Sequence, residues 1–257
     1  MSIEIGNSSI GEVYAGLDGI SEIYKGSDLV WSAYSPEINY IFRNIDENGN
    51  LTLATGNLED SSEITKIGDY GMFCSFYDCT GLTGSVSFPN LTIVGFRGMQ
   101  KAFYGCTGLT GSVSFPNLKT VGNYGLTNCF YRCLRLDGEI NFNELTSISA
   151  DGLNCSFLSC QGITGPVYFT KLNSINARGL YQCFGYCYSL GSIYFYSLNS
   201  SSFGKSTNQF YMMLLGVSGC TVHFPSNLQS VIGSWSDVTT GFNGTNTTVL
   251  FDLPATE

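Results

Sequence analysis

The sequence predicts a mainly β repeat solenoid of 27-residue units, each with one strand and a short helical or 3₁₀ arch, preceded by a small N-terminal β module. Three observations predict it. Apolar side chains recur at a fixed 27-residue step. A stretch of alternating apolar and polar residues recurs at one place within each step, and 31 glycines with many Ser, Thr and Asn supply frequent turns.

The step is carried by several columns in phase. Phe76, Phe103, Phe130, Phe157 and Phe184 advance by 27, as do Cys79, Cys106, Cys133, Cys160 and Cys187. Met72, Met99, Leu126, Leu153 and Leu180 keep the same step, and so do Leu82, Leu109, Leu136, Ile163 and Leu190. Pairs complete the unit: Val86 and Phe88, Val113 and Phe115, Ile140 and Phe142, Val167 and Phe169, Ile193 and Phe195. The last pair arrives one residue early, because Leu82-Thr83-Gly84 has shrunk to Leu190-Gly191. A degraded sixth copy follows an insertion around Ser200 to Asn208, with Leu214, Val222, Phe224 and Leu228 on the old columns. Terminal repeats are expected to be atypical in this way.

Within a unit, Gly84-Ser85-Val86-Ser87-Phe88-Pro89 has the period of a half-buried strand, and proline ends it. The segment Met99 to Leu109 spaces its apolar residues at three and four, the signature of a short helical or 3₁₀ turn. These repeats occupy residues 58–228. Ahead of them, Ile10-Gly11-Glu12-Val13-Tyr14-Ala15-Gly16 returns as Ile20-Ser21-Glu22-Ile23-Tyr24-Lys25-Gly26, followed by Leu29-Val30-Trp31. Residues 1–36 are therefore a module of short strands and glycine turns, too small to be stable without a neighbour or an oligomer. Residues 37–57 hold Asn48-Gly49, a hairpin signal, and form a linker and N-terminal cap. Residues 229–257 form a C-terminal cap with a closing strand over Thr247 to Phe251.

Composition and spacing narrow the chemistry. Eleven Lys and Arg against 20 Asp and Glu give a formal charge of -9, which repels nucleic-acid phosphates. No run of about 18 apolar residues is present, and the N-terminus lacks the basic and apolar regions of a signal peptide. Reduced, buried thiols are expected for the column cysteines, since metal ligands converge on one point whereas these form a ladder. His223 is the only histidine and has no Ser and Asp set around it. The glycine-rich turns lack the Lys-Ser/Thr ending of a phosphate loop. Asp78, Asp137, Glu139 and Asp151 occupy different repeat positions. The expectation is a protein that is not an enzyme and takes no cofactor or metal.

The informative positions are those that the repeat leaves free. Between the two inward residues of each strand stand, in order, Ser87, Ser114, Asn141, Tyr168, Tyr194 and His223, with Tyr196 after the fifth strand. Tyrosines on a rigid sheet suit glycan or protein recognition, each offering an apolar body and a hydroxyl. These seven residues are the predicted binding face.

The order Phe-x-x-Cys-x-x-Leu, then a strand ending in Phe-Pro, then Leu, resembles the BspA-like leucine-rich repeats of surface and adhesion proteins, over about residues 58–228. The run Val-Tyr-x-Gly, Ile-Tyr-x-Gly, Leu-Val-Trp is similar to N-terminal modules in tail, fibre and other virion proteins of phages that infect gut bacteria. Together the resemblances imply a virion protein, made in the host cytoplasm, that presents a receptor- or glycan-binding solenoid. Tyr14, Tyr24 and Trp31 would then attach the chain to other virion proteins or to sister chains. An architectural capsid or tail decoration, and a bacterial leucine-rich-repeat scaffold or adhesin, are the alternatives that the same residues allow.

Overall fold

The structure, a computed structural model, describes residues 64–203, 208–235, 238 and 241–256, together with the backbone of short strands between positions 3 and 52. The repeats coil as a parallel β-solenoid. One face is a seven-stranded parallel sheet of Val86–Ser87, Val113–Ser114, Ile140–Asn141, Val167–Phe169, Ser192–Phe195, Thr221–Pro225 and Thr248–Leu253. The expected closing strand is its last member. Val249 pairs with Val222 and Phe251 stacks on Phe224 at 5.7 Å, so this strand continues the columns for a seventh rung.

A second face differs from the expectation of one strand per unit. Lys66–Ile67, Ile93–Val94, Thr120–Val121, Ser147–Ile148 and Ser174–Ile175 form a five-stranded parallel sheet, also in 27-residue register. Each strand is two residues long and contributes one inward side chain: Ile67, Val94, Val121, Ile148 or Ile175. So short a strand has no period to display.

The arch closes the third side. It keeps the i→i−3 hydrogen bonds of the 3₁₀ expectation: the N–H groups of Gly71, Phe73, Ser75, Tyr77 and Cys79 donate to the carbonyls of Gly68, Tyr70, Met72, Cys74 and Phe76. It is nevertheless not a helix. The third residue of every second turn takes a left-handed conformation, as at Tyr70, Cys74 and Asp78 (φ 58°, 56° and 54°). The bend it produces lets the intervening N–H groups leave the turn. Met72, Cys74, Phe76 and Asp78 donate instead to Gly98, Gln100, Ala102 and Tyr104 of the next unit. The arch is thus a chain of β-turns whose alternate amides bond to the neighbouring coil as a sheet would. An L-residue in the left-handed region costs about 1–2 kcal/mol, which is offset here because the amides of Tyr70, Cys74 and Asp78 are all paired.

Repetition at the spacing between coils brings identical side chains together. Phe76, Phe103, Phe130, Phe157 and Phe184 stack with ring centroids 4.8, 5.2, 5.2 and 5.5 Å apart and planes within 8°. Phe88, Phe115, Phe142, Phe169, Phe195 and Phe224 make a second stack with centroids 5.6, 5.5, 6.1, 5.0 and 5.2 Å apart. The stacks touch each other, with Phe115 against Phe130 at 6.3 Å and Phe142 edge-on to Phe157 at 6.2 Å. All these rings are at most 1% exposed. Leu214, Val222, Phe224 and Leu228 of the degraded copy are fully buried on the same columns.

In the N-terminal segment, Glu12–Gly16, Gly19–Lys25 and Asp28–Ser32 form an antiparallel three-stranded sheet. Asn44–Ile45 pairs with Leu51–Thr52 across the predicted hairpin. Side chains before residue 64 lie outside the described residues, and with them the attachment role expected of Tyr14, Tyr24 and Trp31.

The inward and outward positions should separate in stability. Phe130→Ala leaves a cavity inside two stacks and is expected to cost about 3–5 kcal/mol. Tyr168→Ala, from a half-buried ring, should cost far less. Denaturant titration of the two variants checks the order, and a larger loss at Tyr168 would reverse the assignment of facing.

Candidate binding faces

The predicted face is one continuous column. Cα partners run Ser87, Ser114, Asn141, Tyr168, Tyr194 and His223 in unbroken parallel register, because each precedes or follows an inward residue fixed by the core. Ser87 is exposed and the others are half-buried. The rings at the C-terminal end stack on one another: Tyr168 on Tyr194 at 5.1 Å, and Tyr194 on His223 at 4.2 Å with planes within 8°. Tyr196, 38% exposed, lies 6.0 Å from Tyr194 and nearly parallel to it. His223 is held from the other side by Asp252 of the last strand, with Nδ1 2.9 and 3.0 Å from the two carboxylate oxygens. The carboxylate therefore orients the imidazole within the ladder.

This geometry decides what the face can offer. Rings stacked at the spacing between coils use their faces on each other, so a ligand meets their edges and hydroxyls, as a row of donors and acceptors about 4.8 Å apart. N-terminal to them the column continues as Asn141, Ser114 and Ser87, short polar groups on the same sheet.

A second aromatic surface lies on the arch and was not singled out from the sequence. Tyr77, Tyr104 and Tyr131 stack face to face at 4.7 Å and 4.7 Å. Burial first, and then the neighbouring phenols of Tyr131 and Tyr77, pushes the Tyr104 hydroxyl above its usual range. A few residues earlier in each coil stand Tyr70, Phe96 and Tyr124, all half-buried. The signal was present in the sequence, since Tyr77, Tyr104 and Tyr131 keep the 27-residue step.

The column thiols fill the interior, as the ladder predicts, while Cys74 and Cys155 are half-buried. Cys106, Cys133, Cys160 and Cys187 are fully buried, and each donates its S–H to the carbonyl of a phenylalanine on the preceding coil, at 2.9, 3.1, 2.9 and 3.1 Å. Cysteine suits these positions because it is small, apolar and still a weak donor. No described cysteine is in a disulfide, and among the described residues no three or more His, Cys, Asp or Glu are grouped to hold a metal ion. Burial pushes the Cys155 thiol to about 11 and the Cys220 thiol to about 12.

That shift has a sign that can be checked. The fold holds the neutral thiol, so the stability these two groups contribute is whole below the unfolded value of about 8.5. It is lost as pH rises through about 11 and then about 12. The denaturant midpoint should be level between about pH 7 and 8 and fall between about pH 9 and 12. A midpoint unchanged across the alkaline range contradicts the burial of these thiols.

No family model matches the chain, and no curated protein matches it. A search of solved structures finds a leucine rich cell surface protein from Faecalibacterium prausnitzii A2-165, at 10% sequence identity and a TM-score of 0.25, covering 97% of this chain and 94% of that one.

Proposed function

We propose that the chain is a non-enzymatic binding protein whose solenoid presents the column Ser87, Ser114, Asn141, Tyr168, Tyr194 and His223, with Tyr196, to a surface glycan or protein. One observation carries this reading. Six outward positions on six coils lie in unbroken register on a sheet backed by the core, and they change from Ser through Asn and Tyr to His although the buried positions beside them stay Val or Ile on one side and Phe on the other. Binding energy on such a face is not spent on ordering the backbone. The setting we propose is a phage virion, with the N-terminal module joining the chain to other virion proteins or to sister chains. Support for that setting is the run Val-Tyr-x-Gly, Ile-Tyr-x-Gly, Leu-Val-Trp.

A second reading has its own support. The ring faces of Tyr168, Tyr194 and His223 are turned toward one another and not outward. A purely architectural decoration protein would use them in this way, as an external brace along the sheet.

Adsorption of the labelled full chain to a panel of gut-bacterial cells and their purified surface polysaccharides separates the readings. The binding reading predicts saturable adsorption that falls at least about tenfold in the Tyr168→Ser, Tyr194→Ser variant, roughly the loss of 1.4 kcal/mol, with little change in melting temperature. Adsorption equal in the variant and the parent, or absent in both, together with a clear loss of thermal stability, favours the brace.

A further inference from the structure

We infer that Arg97, on the arch and away from the sheet face, is the cation of a subsite for a carboxylate-bearing saccharide. The inference does not rest on the function proposed for the sheet. Its basis is the company that Arg97 keeps. The guanidinium carbon lies 5.2 Å from the ring centre of Phe96, 5.5 Å from that of Tyr124 and 5.8 Å from that of Tyr70. Tyr70 and Tyr124 occupy the equivalent positions one coil before and one coil after Arg97, so the repeat itself builds the cage. Phe96 closes it edge-on to both, at 5.4 and 6.3 Å. Rings around a cation hold it by their quadrupoles and restrict its rotamers, which prepares a guanidinium for a ligand.

The chain carries an internal comparison for what such an arginine ordinarily has. Arg178 stands at the equivalent position three coils on and likewise lies over a tyrosine, Tyr181, at 4.8 Å. It has a carboxylate: its Nε is 3.1 Å from Asp151 on the preceding coil. At Arg97 the corresponding neighbour is Tyr70, and no described carboxylate takes the place of Asp151. The Nε of Arg97 is buried without a hydrogen-bond partner, and so is Oε1 of Gln100, which closes the same turn through its N–H to the Arg97 carbonyl. A caged cation with an orphaned donor marks a place where an acidic ligand supplies what Asp151 supplies to Arg178, while the orphaned Oε1 of Gln100, an acceptor, calls for a donor such as a saccharide hydroxyl.

The backbone selects the ligand class. A peptide on a sheet or arch gains much of its affinity from main-chain hydrogen bonds. Here the amides of Tyr70, Arg97 and Tyr124 are consumed by Phe96, Asn123 and Ala150 of the following coils. Half-exposed rings and a planar fork of donors remain, and they suit a sugar acid, whose carboxylate pairs with the guanidinium while its C–H faces lie on the rings.

Calorimetric titration of the full chain with trigalacturonate, with neutral galactotriose and triglutamate as comparison arms, tests this. The acidic saccharide should bind, weaken at high salt, and lose at least about tenfold in affinity in Arg97→Gln while keeping its affinity in Arg178→Gln. Should Arg97→Gln not fold, the parent serves: trigalacturonate should protect Arg97 and not Arg178 from phenylglyoxal, read by mass spectrometry. Equal binding of galactotriose, unchanged affinity in Arg97→Gln, or no protection of Arg97 overturns the site. Triglutamate binding as tightly as trigalacturonate overturns the choice of a saccharide.

Discussion

Everything in this solenoid depends on one constraint: each coil must present its amides to the next at the same positions. In the two sheets parallel ladders meet that constraint. The arch could have failed it, since a helix spends its N–H groups within itself. The left-handed residue at every fourth position releases alternate amides, and the arch joins the ladder. With all three sides in register, every side chain sits over its counterpart one coil away. The phenylalanine stacks and the cysteine ladder are consequences of that registration, and so is the alignment of the outward column.

Stacking like on like also sets the chemistry. An interior column tolerates only groups that can be repeated at the spacing between coils: flat rings offset on one another, or a small thiol whose proton can reach the carbonyl of the previous coil. An exterior column is free of that demand, so variation there carries information. The sheet column drifts from serine to tyrosine to histidine, and the arch column runs Tyr70, Arg97, Tyr124, Asp151, Arg178. Within that second column one arginine is neutralised by a carboxylate of the chain, and the other is held by rings alone.

How much of this was legible depends on how each feature is encoded. The interior columns and the sheet face were readable, because a 27-residue step and a period of two are properties of the sequence itself. The second sheet was not, since strands as short as Ile93–Val94 show no alternation, although Val94, Val121 and Ile148 keep the step. The arch has the spacing of a short helical or 3₁₀ turn because steps of three and four are shared by helices and by successive β-turns. Only the left-handed conformations of residues such as Lys101 and Asn128 distinguish the two, and neither residue type announces them. The Arg97 cage was hidden for a related reason: its members lie one coil apart in sequence and meet only when the coils stack.

The registration itself can be measured. Position 87 should face position 114 at the strand spacing of about 4.8 Å, within reach of a disulfide, while position 120 lies on the other sheet. In the folded chain, whose own thiols are buried except for the half-buried Cys74 and Cys155, mild oxidation of Ser87→Cys, Ser114→Cys should give an intramolecular disulfide between positions 87 and 114, read by peptide mapping, and Ser87→Cys, Thr120→Cys should give none. Crosslinking of the second pair at the rate of the first would contradict the stack on which the whole account rests.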